Sequence, residues 1–276
     1  MNREKLAQKA EYILRASKGQ STPLSEKTQQ ACVVHAKIKA HIYTELLPST
    51  GPYCGLVSVL AERSLECAMD IQLQTPPGVL VFCSATRPGG GWLTGAMAQE
   101  EVVSRASTWA LSCHNSQFYS DEGNDGYFYK NAVLSTPGKI FERNNIPLLM
   151  PAPVHFVGMC APNARAMEEH HHHPKSPAVR KKITDSLVFR MRMSLQAFAQ
   201  SECQTVVLGA VGCGVFQVQV EDCVKAWERA LRLDGAPFKH VAFGLGLNPS
   251  DNMTNAFSAL THAFVSDTAA SSPSMI

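Results

Sequence analysis

No apolar run in the chain approaches the length of a membrane span. The opening residues, Met1-Asn2-Arg3-Glu4-Lys5, lack the apolar stretch of a secretory leader. Charge of either sign is not in excess: 25 Lys and Arg face 23 Asp and Glu, a formal +2. That balance gives no case for a nucleic-acid or membrane-surface partner. None of the nine cysteines stands in a C-x-x-C pair, so neither a disulfide framework nor a structural zinc site is supported. Several sit inside apolar runs, Cys83 and Cys160 among them, as reduced buried thiols do. Together these absences lead to the expectation of a cytoplasmic location. No internal repeat is present. No Lys-Ser/Thr follows either glycine group, which excludes a P-loop. The first strand–helix unit has no G-x-G-x-x-G, and the later GAVGCG has the wrong order for a dinucleotide fingerprint.

What is present suits one large α/β domain or a domain with an extension: 276 residues, 45% hydrophobic and 17% charged. Leu6, Ala10, Ile13 and Leu14 make a helical stripe over residues 3–17, and Ser17 to Thr28 reads as a loop. Ala31 to Ala36 reads as a strand, Pro48 to Cys54 as a break, and Leu56 to Met69 as a helix. His114 to Lys130 reads as an ordered loop and Val154 to Cys160 as a strand. His170 to His173 reads as an exposed loop, with no further ligands to make it a metal site. Arg180, Lys181 and Lys182 form the solvated start of a helix that ends near Gln200. Strands follow at Thr205 to Ala210 and Lys239 to Leu245, with helices at Glu221 to Leu233 and Asp251 to Val265. Short apolar strands alternating with helices predict a sheet covered on both faces.

The informative stretch is Val79 to Trp109. A short apolar run bounded by Pro and Gly predicts a buried strand. Gly89, Gly90 and Gly91 follow, then seven residues, then Gln99-Glu100-Glu101 opening a run free of Gly and Pro. Glycines let backbone N–H groups approach a polar group closely. A second strand–loop–helix unit carries Gly212-Cys213-Gly214-Val215-Phe216 just ahead of a helix, where free N–H groups and the positive helix end suit a diphosphate. If the two strands lie near each other, both loops share one crevice. Glu100 and Glu101, adjacent on a helix, diverge by about 100° and are not expected to face each other as paired glycosidase carboxyls do.

The glycine triplet, the spacer and Gln-Glu-Glu resemble the signature of the microbial-type poly(ADP-ribose) glycohydrolases, a branch of the macro-domain proteins. Leu134 to Arg143, Ala161-Pro162-Asn163 and Gly212 to Phe216 resemble further segments of that family. The resemblance implies a three-layer α/β/α macro-domain fold with a mixed sheet and an N-terminal helical extension. The expected division is an accessory region over 1–75, a catalytic core over 76–266 and a mobile tail over 267–276.

It also implies hydrolysis of the ribose–ribose O-glycosidic bond of poly(ADP-ribose), releasing ADP-ribose. Glu101 is the implied general acid and base, and Glu100 holds ribose hydroxyls. Gly89, Gly90, Gly91, Gln99, Gly212, Cys213, Gly214, Val215 and Phe216 would bind substrate, with Phe216 orienting the cleaved ribose. No metal and no cofactor is expected; the implied partners are poly(ADP-ribose) or ADP-ribosylated protein, and the chain is expected to be a monomer. The N-terminal extension implies cleavage from chain ends. The sequence departs from the family pattern where Asn is common, carrying Val81 in the strand and Arg87 before the Pro. Two other classes stay open. One is a non-catalytic ADP-ribose reader, which needs no acid at position 101. The other is a hydrolase of the same fold acting on mono-ADP-ribosylated protein or O-acetyl-ADP-ribose.

Overall fold

The computed structural model describes residues 2–71, 75–120, 124–170 and 173–270, the last six of these by backbone alone. Its elements, in chain order, are α1 (Arg3–Ser17), α2 (Glu26–His35), β1 (His41–Tyr43), β2 (Leu56–Leu60), α3 (Ser64–Asp70), β3 (Gly78–Phe82), α4 (Gln99–Ala106), α5 (Trp109–Cys113), β4 (Val133–Arg143), β5 (Ile146–Met159), α6 (Ala164–Glu169), α7 (Pro177–Gln200), β6 (Thr205–Leu208), α8 (Val220–Asp234), β7 (His240–Gly244) and α9 (Asp251–Ala270).

The strands form one sheet in the order β1-β4-β5-β3-β6-β7-β2. From β5 to β2 all neighbours are parallel; β4 runs antiparallel to β5, and β1 to β4. Period-two alternation sets the layers. Leu80, Val206, Leu208, Val241 and Phe243 pack with side chains of α7, α8 and α9. Their chain neighbours Val79, Val81, Val207 and Ala242 pack with side chains of α3, α4 and α5. Strands buried on both faces read as unbroken apolar runs, which is why they were legible. The outcome is a three-layer α/β/α sandwich with a mixed sheet. No helix among the described residues is long and apolar enough to cross a membrane.

A third apolar cluster joins α1 and α2, through Ala10, Ile13, Ala16 and Cys32, to Trp92, Ala110, Leu111 and Phe141. The N-terminal helices therefore lean on the chain just after the glycine triplet. Lys9 pairs with Glu142 on the same side. β1 and β2, which come from residues before 76, are the two edge strands of the sheet.

Several elements differ from the sequence reading. Ala31 to Ala36 belongs to the end of a helix: Ser25 caps α2 by accepting from the Thr28 N–H, and the helix runs on through Val33 and Val34. Leu56 to Met69 is not one helix. Leu56, Val57, Val59 and Leu60 match either period, and pairing with β7 makes them a strand before α3 begins at Ser64. The run after Gln99 breaks at Ser107, which is fully extended and bridges to Ile140. β5 begins at Ile146, well before Val154, because the antiparallel partner β4 continues the ladder out to Arg143.

The basic cluster at the start of α7 is solvated, with Lys181 and Lys182 exposed, and each member has a partner. Arg180 makes a two-pronged pair with Asp222, at 2.8 Å for both bonds, Lys181 bonds Asp185, and Lys182 lies over the Phe128 ring at 4.1 Å. The expected loop His114 to Lys130 includes residues 121–123, which lie outside the described residues, as do His171 and His172. His170 and His173 are exposed. α9 continues to Ala270, so the tail expected from 267 begins in a helix; 271–276 lie outside the described residues.

Candidate active site

The carboxyl ends of β3, β6 and β7 open onto one cavity of about 730 Å³. Adjacent parallel strands carry the two glycine loops, so both reach the same crevice, where open α/β sheets bind ligands. Across the sheet the lining runs in strand order. Leu245 to Asn248 stand at the β7 end, Gly212, Gly214, Val215 and Phe216 in the middle, and Arg87, Gly90, Gly91 and Gln99 to Glu101 at the β3 end.

At the β3 end the triplet and the acids form one unit. Glu100 is buried, and its carboxylate accepts from three N–H groups: Ser84 at 2.6 Å, Gly89 at 3.0 Å and the Trp109 indole at 3.3 Å. Glu101 is also buried, and its Oε1 accepts from the Gly91 N–H at 2.9 Å. The remaining glycine amide, Gly90, donates to the Arg87 carbonyl at 2.9 Å. All three triplet amides are thus used inside the protein. The sequence reading gave them to a ligand; here those of Gly89 and Gly91 hold the acids and that of Gly90 closes the turn.

The central glycine is required twice over. Gly90 has φ +58°, and a Cβ there would collide with Glu101 Oε1 and come within 3.0 Å of Glu100 Oε2. The same fact corrects the expected divergence of the two acids. Their Cα–Cβ bonds do leave the helix in different directions, but each long side chain bends back to the same loop, so the carboxyls converge.

That convergence has an electrostatic consequence. Burial, with the Glu101 charge adding to it, raises the Glu100 carboxyl from an ordinary 4.5 to about 8, while its N–H partners pull the other way. The second oxygen of Glu101, Oε2, is buried and takes no hydrogen bond among the described residues.

Gln99 lines the cavity, but its amide is engaged with the strand. Its Oε1 accepts from Phe82 N at 2.9 Å, and its Nε2 donates to Leu80 O at 2.8 Å and Ser64 Oγ at 3.1 Å. β3 pairs with β6 only at Gly78 and Val79, so Gln99 serves the strand edge where the sheet opens. Arg105 is buried and donates to the carbonyls of Trp92 and Ala96, tying down the chain between triplet and helix.

The second loop is built differently. Gly212 has φ +80°, and a Cβ there would lie 2.7 Å from both Ala161 and Val218. Cys213 N turns back to Ala210 O. The N–H groups of Gly212, Gly214, Val215 and Phe216 donate to no other described residue. Gly214 has open space around it, and Val215 is exposed. Free amides ahead of a helix have the donors that an anion needs.

Phe216 is half-buried on a support that sequence reasoning missed. Its ring lies 6.1 Å from that of Tyr129, whose hydroxyl accepts from Asn163 Nδ2 at 3.2 Å. Buried Arg190 donates to the carbonyls of Phe128 and Tyr129, and to Cys160 O at 2.6 Å, fixing the segment beneath. No spacing in the sequence signals these partners.

Of the expected residues, Gly90, Gly91, Gln99, Glu100, Glu101, Gly212, Gly214, Val215 and Phe216 line the cavity; Gly89 and Cys213 stand behind it. Val81 is fully buried on the face of β3 covered by α3, α4 and α5, while Arg87 lines the cavity. Among the described residues, no three His, Cys, Asp or Glu side chains gather as metal ligands.

Comparison with known proteins adds to this geometry. The family model described as "Microbial-type PARG, catalytic domain" matches residues 2–144. No curated protein matches the chain. Among solved structures, poly(ADP-ribose) glycohydrolase from Thermomonospora curvata is similar at 24% identity, with 95% of this chain and 100% of that chain covered and a TM-score of 0.73. The same organism's enzyme bound to the inhibitor ADP-HPD is similar at 26% identity, covering 91% of this chain and 88% of that one, with a TM-score of 0.65. The Deinococcus radiodurans glycohydrolase in complex with ADP-ribose shares the fold at 22% identity, covering 95% and 93%, with a TM-score of 0.66.

Proposed function

Because the chain belongs to the microbial-type poly(ADP-ribose) glycohydrolase family, matched over residues 2–144, we propose that it hydrolyses the ribose–ribose O-glycosidic bond of poly(ADP-ribose) with Glu101 as general acid and base. The observation that carries the assignment is the pairing of a fixed and a free oxygen on one buried carboxyl. Glu101 Oε1 is held by the Gly91 N–H, and Oε2 has no partner among the described residues, in a cavity shared with a loop of free amides.

In this reading the free amides of Gly212, Gly214, Val215 and Phe216 take the diphosphate of the unit to be released. Phe216, backed by Tyr129, fixes the ribose against the acids. Glu101 gives a proton to the leaving ribose oxygen as the C–O bond breaks. The ribosyl cation that forms is stabilised by the diphosphate beside it. Glu101, now ionised, removes a proton from the attacking water, whose oxygen bonds to the anomeric carbon. Glu100, with three of its roughly four lone-pair positions taken, has room for one ribose hydroxyl and otherwise holds the loop. The helices α1 and α2, leaning on the chain after the triplet, support an accessory role for the start of residues 1–75, whose strands β1 and β2 belong to the sheet itself; release from chain ends is part of the same reading.

The test is release of free ADP-ribose from purified polymer by the unsubstituted protein and by Glu101→Gln. Release by the first and a loss of about 10²–10⁴-fold in the second is expected. A protein that binds ADP-ribose but releases none is a reader; near-normal release by Glu101→Gln removes the role given to this residue.

A further inference from the structure

Arg87 stands where the family pattern has a neutral side chain, and the reaction as described gives it no task. Its backbone is fixed at both ends: the N–H donates to Ser84 Oγ at 3.1 Å, and the carbonyl accepts from Gly90 N at 2.9 Å. Its side chain is exposed, lines the cavity, and makes no hydrogen bond or ion pair among the described residues. The other arginine of the lining, Arg63, has Glu66 beside it at 3.9 Å.

Position narrows what Arg87 can meet. The crevice runs from the β7 end, through the free amides after β6, to the acids after β3. A unit whose diphosphate lies on the β6 loop and whose ribose reaches Glu101 occupies that path up to the acids. Arg87 lines the same end of the cavity as the acids, where whatever is joined to the cleaved ribose has to sit.

We infer that Arg87 forms a subsite for the phosphates of the next ADP-ribose unit, the one on the leaving side of the cleaved bond; this rests on the glycohydrolase reading above. The chemistry fits. In the polymer the leaving ribose carries its own diphosphate on its 5′ carbon, a short distance from the scissile oxygen. The other groups at that end of the crevice, the carboxyls of Glu100 and Glu101 and the glycine amides that bond them or Arg87 O, leave no free cation or donor for a second diphosphate. A guanidinium on the same loop offsets this and offers paired N–H donors to a phosphate. Arg87 is then a polymer-specific positioning residue, which an isolated ADP-ribose does not engage.

The experiment uses two substrates: poly(ADP-ribose), and a synthetic aryl glycoside of ADP-ribose whose leaving group carries no phosphate. Steady-state kinetics are measured for the unsubstituted protein, Arg87→Ala and Arg87→Lys, with ADP-ribose affinity by calorimetry. Arg87→Ala is expected to raise KM for polymer about tenfold, the effect of one lost charge-assisted contact. The loss in kcat/KM on polymer should exceed that on the aryl glycoside at least fivefold, and Arg87→Lys should recover part of it. Equal losses on both substrates, or no loss on polymer, would overturn the subsite while leaving the glycohydrolase reading in place. An unsubstituted protein that cleaves neither substrate would overturn both.

Discussion

The molecule contains the same local design twice, a buried parallel strand, a glycine loop and a helix, and uses it in opposite ways. After β3 the amides of Gly89 and Gly91 point at the protein's own Glu100 and Glu101. After β6 the amides of Gly212, Gly214, Val215 and Phe216 point at no other described residue. The difference comes from what opens the helix. α4 starts with two carboxyls long enough to fold back onto their own loop, whereas α8 starts at Val220, and its acids Glu221 and Asp222 are engaged with Asn252 and Arg180. A glycine loop ahead of a helix is therefore an anion site whose occupant is decided by the first helical turn. One loop is occupied by the protein's own carboxyls; the other leaves its amides free.

The comparison breaks most severely at Gly90. Gly90→Ala places a methyl group against both carboxyls in a backbone conformation that alanine resists. Turnover on polymer should fall at least about 10²-fold, as a misplacement of about 1 Å at reacting groups does. ADP-ribose affinity by calorimetry should change far less. Equal losses in both would mean that the triplet holds ligand after all.

Gly212→Ala is the mirror experiment. It strains the open loop and meets Ala161 and Val218. ADP-ribose affinity is expected to drop about tenfold or more. Affinity that survives the substitution would move the diphosphate away from this loop.

A third prediction separates the two loops by pH. Glu100 is raised to about 8, so between 4.5 and 8 the folded protein holds a proton that the unfolded chain has lost. Its contribution to stability is complete below 4.5 and disappears as pH rises through 8. The melting temperature of the unsubstituted protein should therefore fall by several degrees relative to that of Glu100→Gln between pH 5 and 9. Parallel curves would contradict the shift. Gly212→Ala, which keeps Glu100, should follow the slope of the unsubstituted protein.

The smallest effect belongs to Gly214, which has open space around it. Gly214→Ala should alter stability by less than about 0.5 kcal/mol and leave polymer hydrolysis within a few-fold of normal. A large loss would show that a ligand closes tightly over this point.

The sheet and its layers were legible because buried parallel strands are short apolar runs between glycines and prolines, as in Val79 to Cys83 and Thr205 to Ala210. Leu56 to Leu60 was not, because its four apolar residues suit period 3.6 as well as period 2, and only the neighbour β7 decides between them. At the site, residue types and spacing gave the members of the two loops. They could not give the direction of a backbone N–H. That is why Gly89 to Gly91 were assigned to a ligand, and why adjacent Glu100 and Glu101 were expected to diverge. Ser84, Trp109 and Tyr129 support the site from a neighbouring turn, beyond a helix break and across the fold. Nothing in their local sequence announces contacts made only by tertiary packing.

The division of labour between the loops is tested most directly by backbone amide NMR during titration with ADP-ribose. The amide resonances of Gly212, Gly214, Val215 and Phe216 should make the largest shifts, while those of Gly89 and Gly91, already bonded to Glu100 and Glu101, should stay nearly in place. Large shifts at Gly89 and Gly91 with Gly214 and Val215 unmoved would contradict the account.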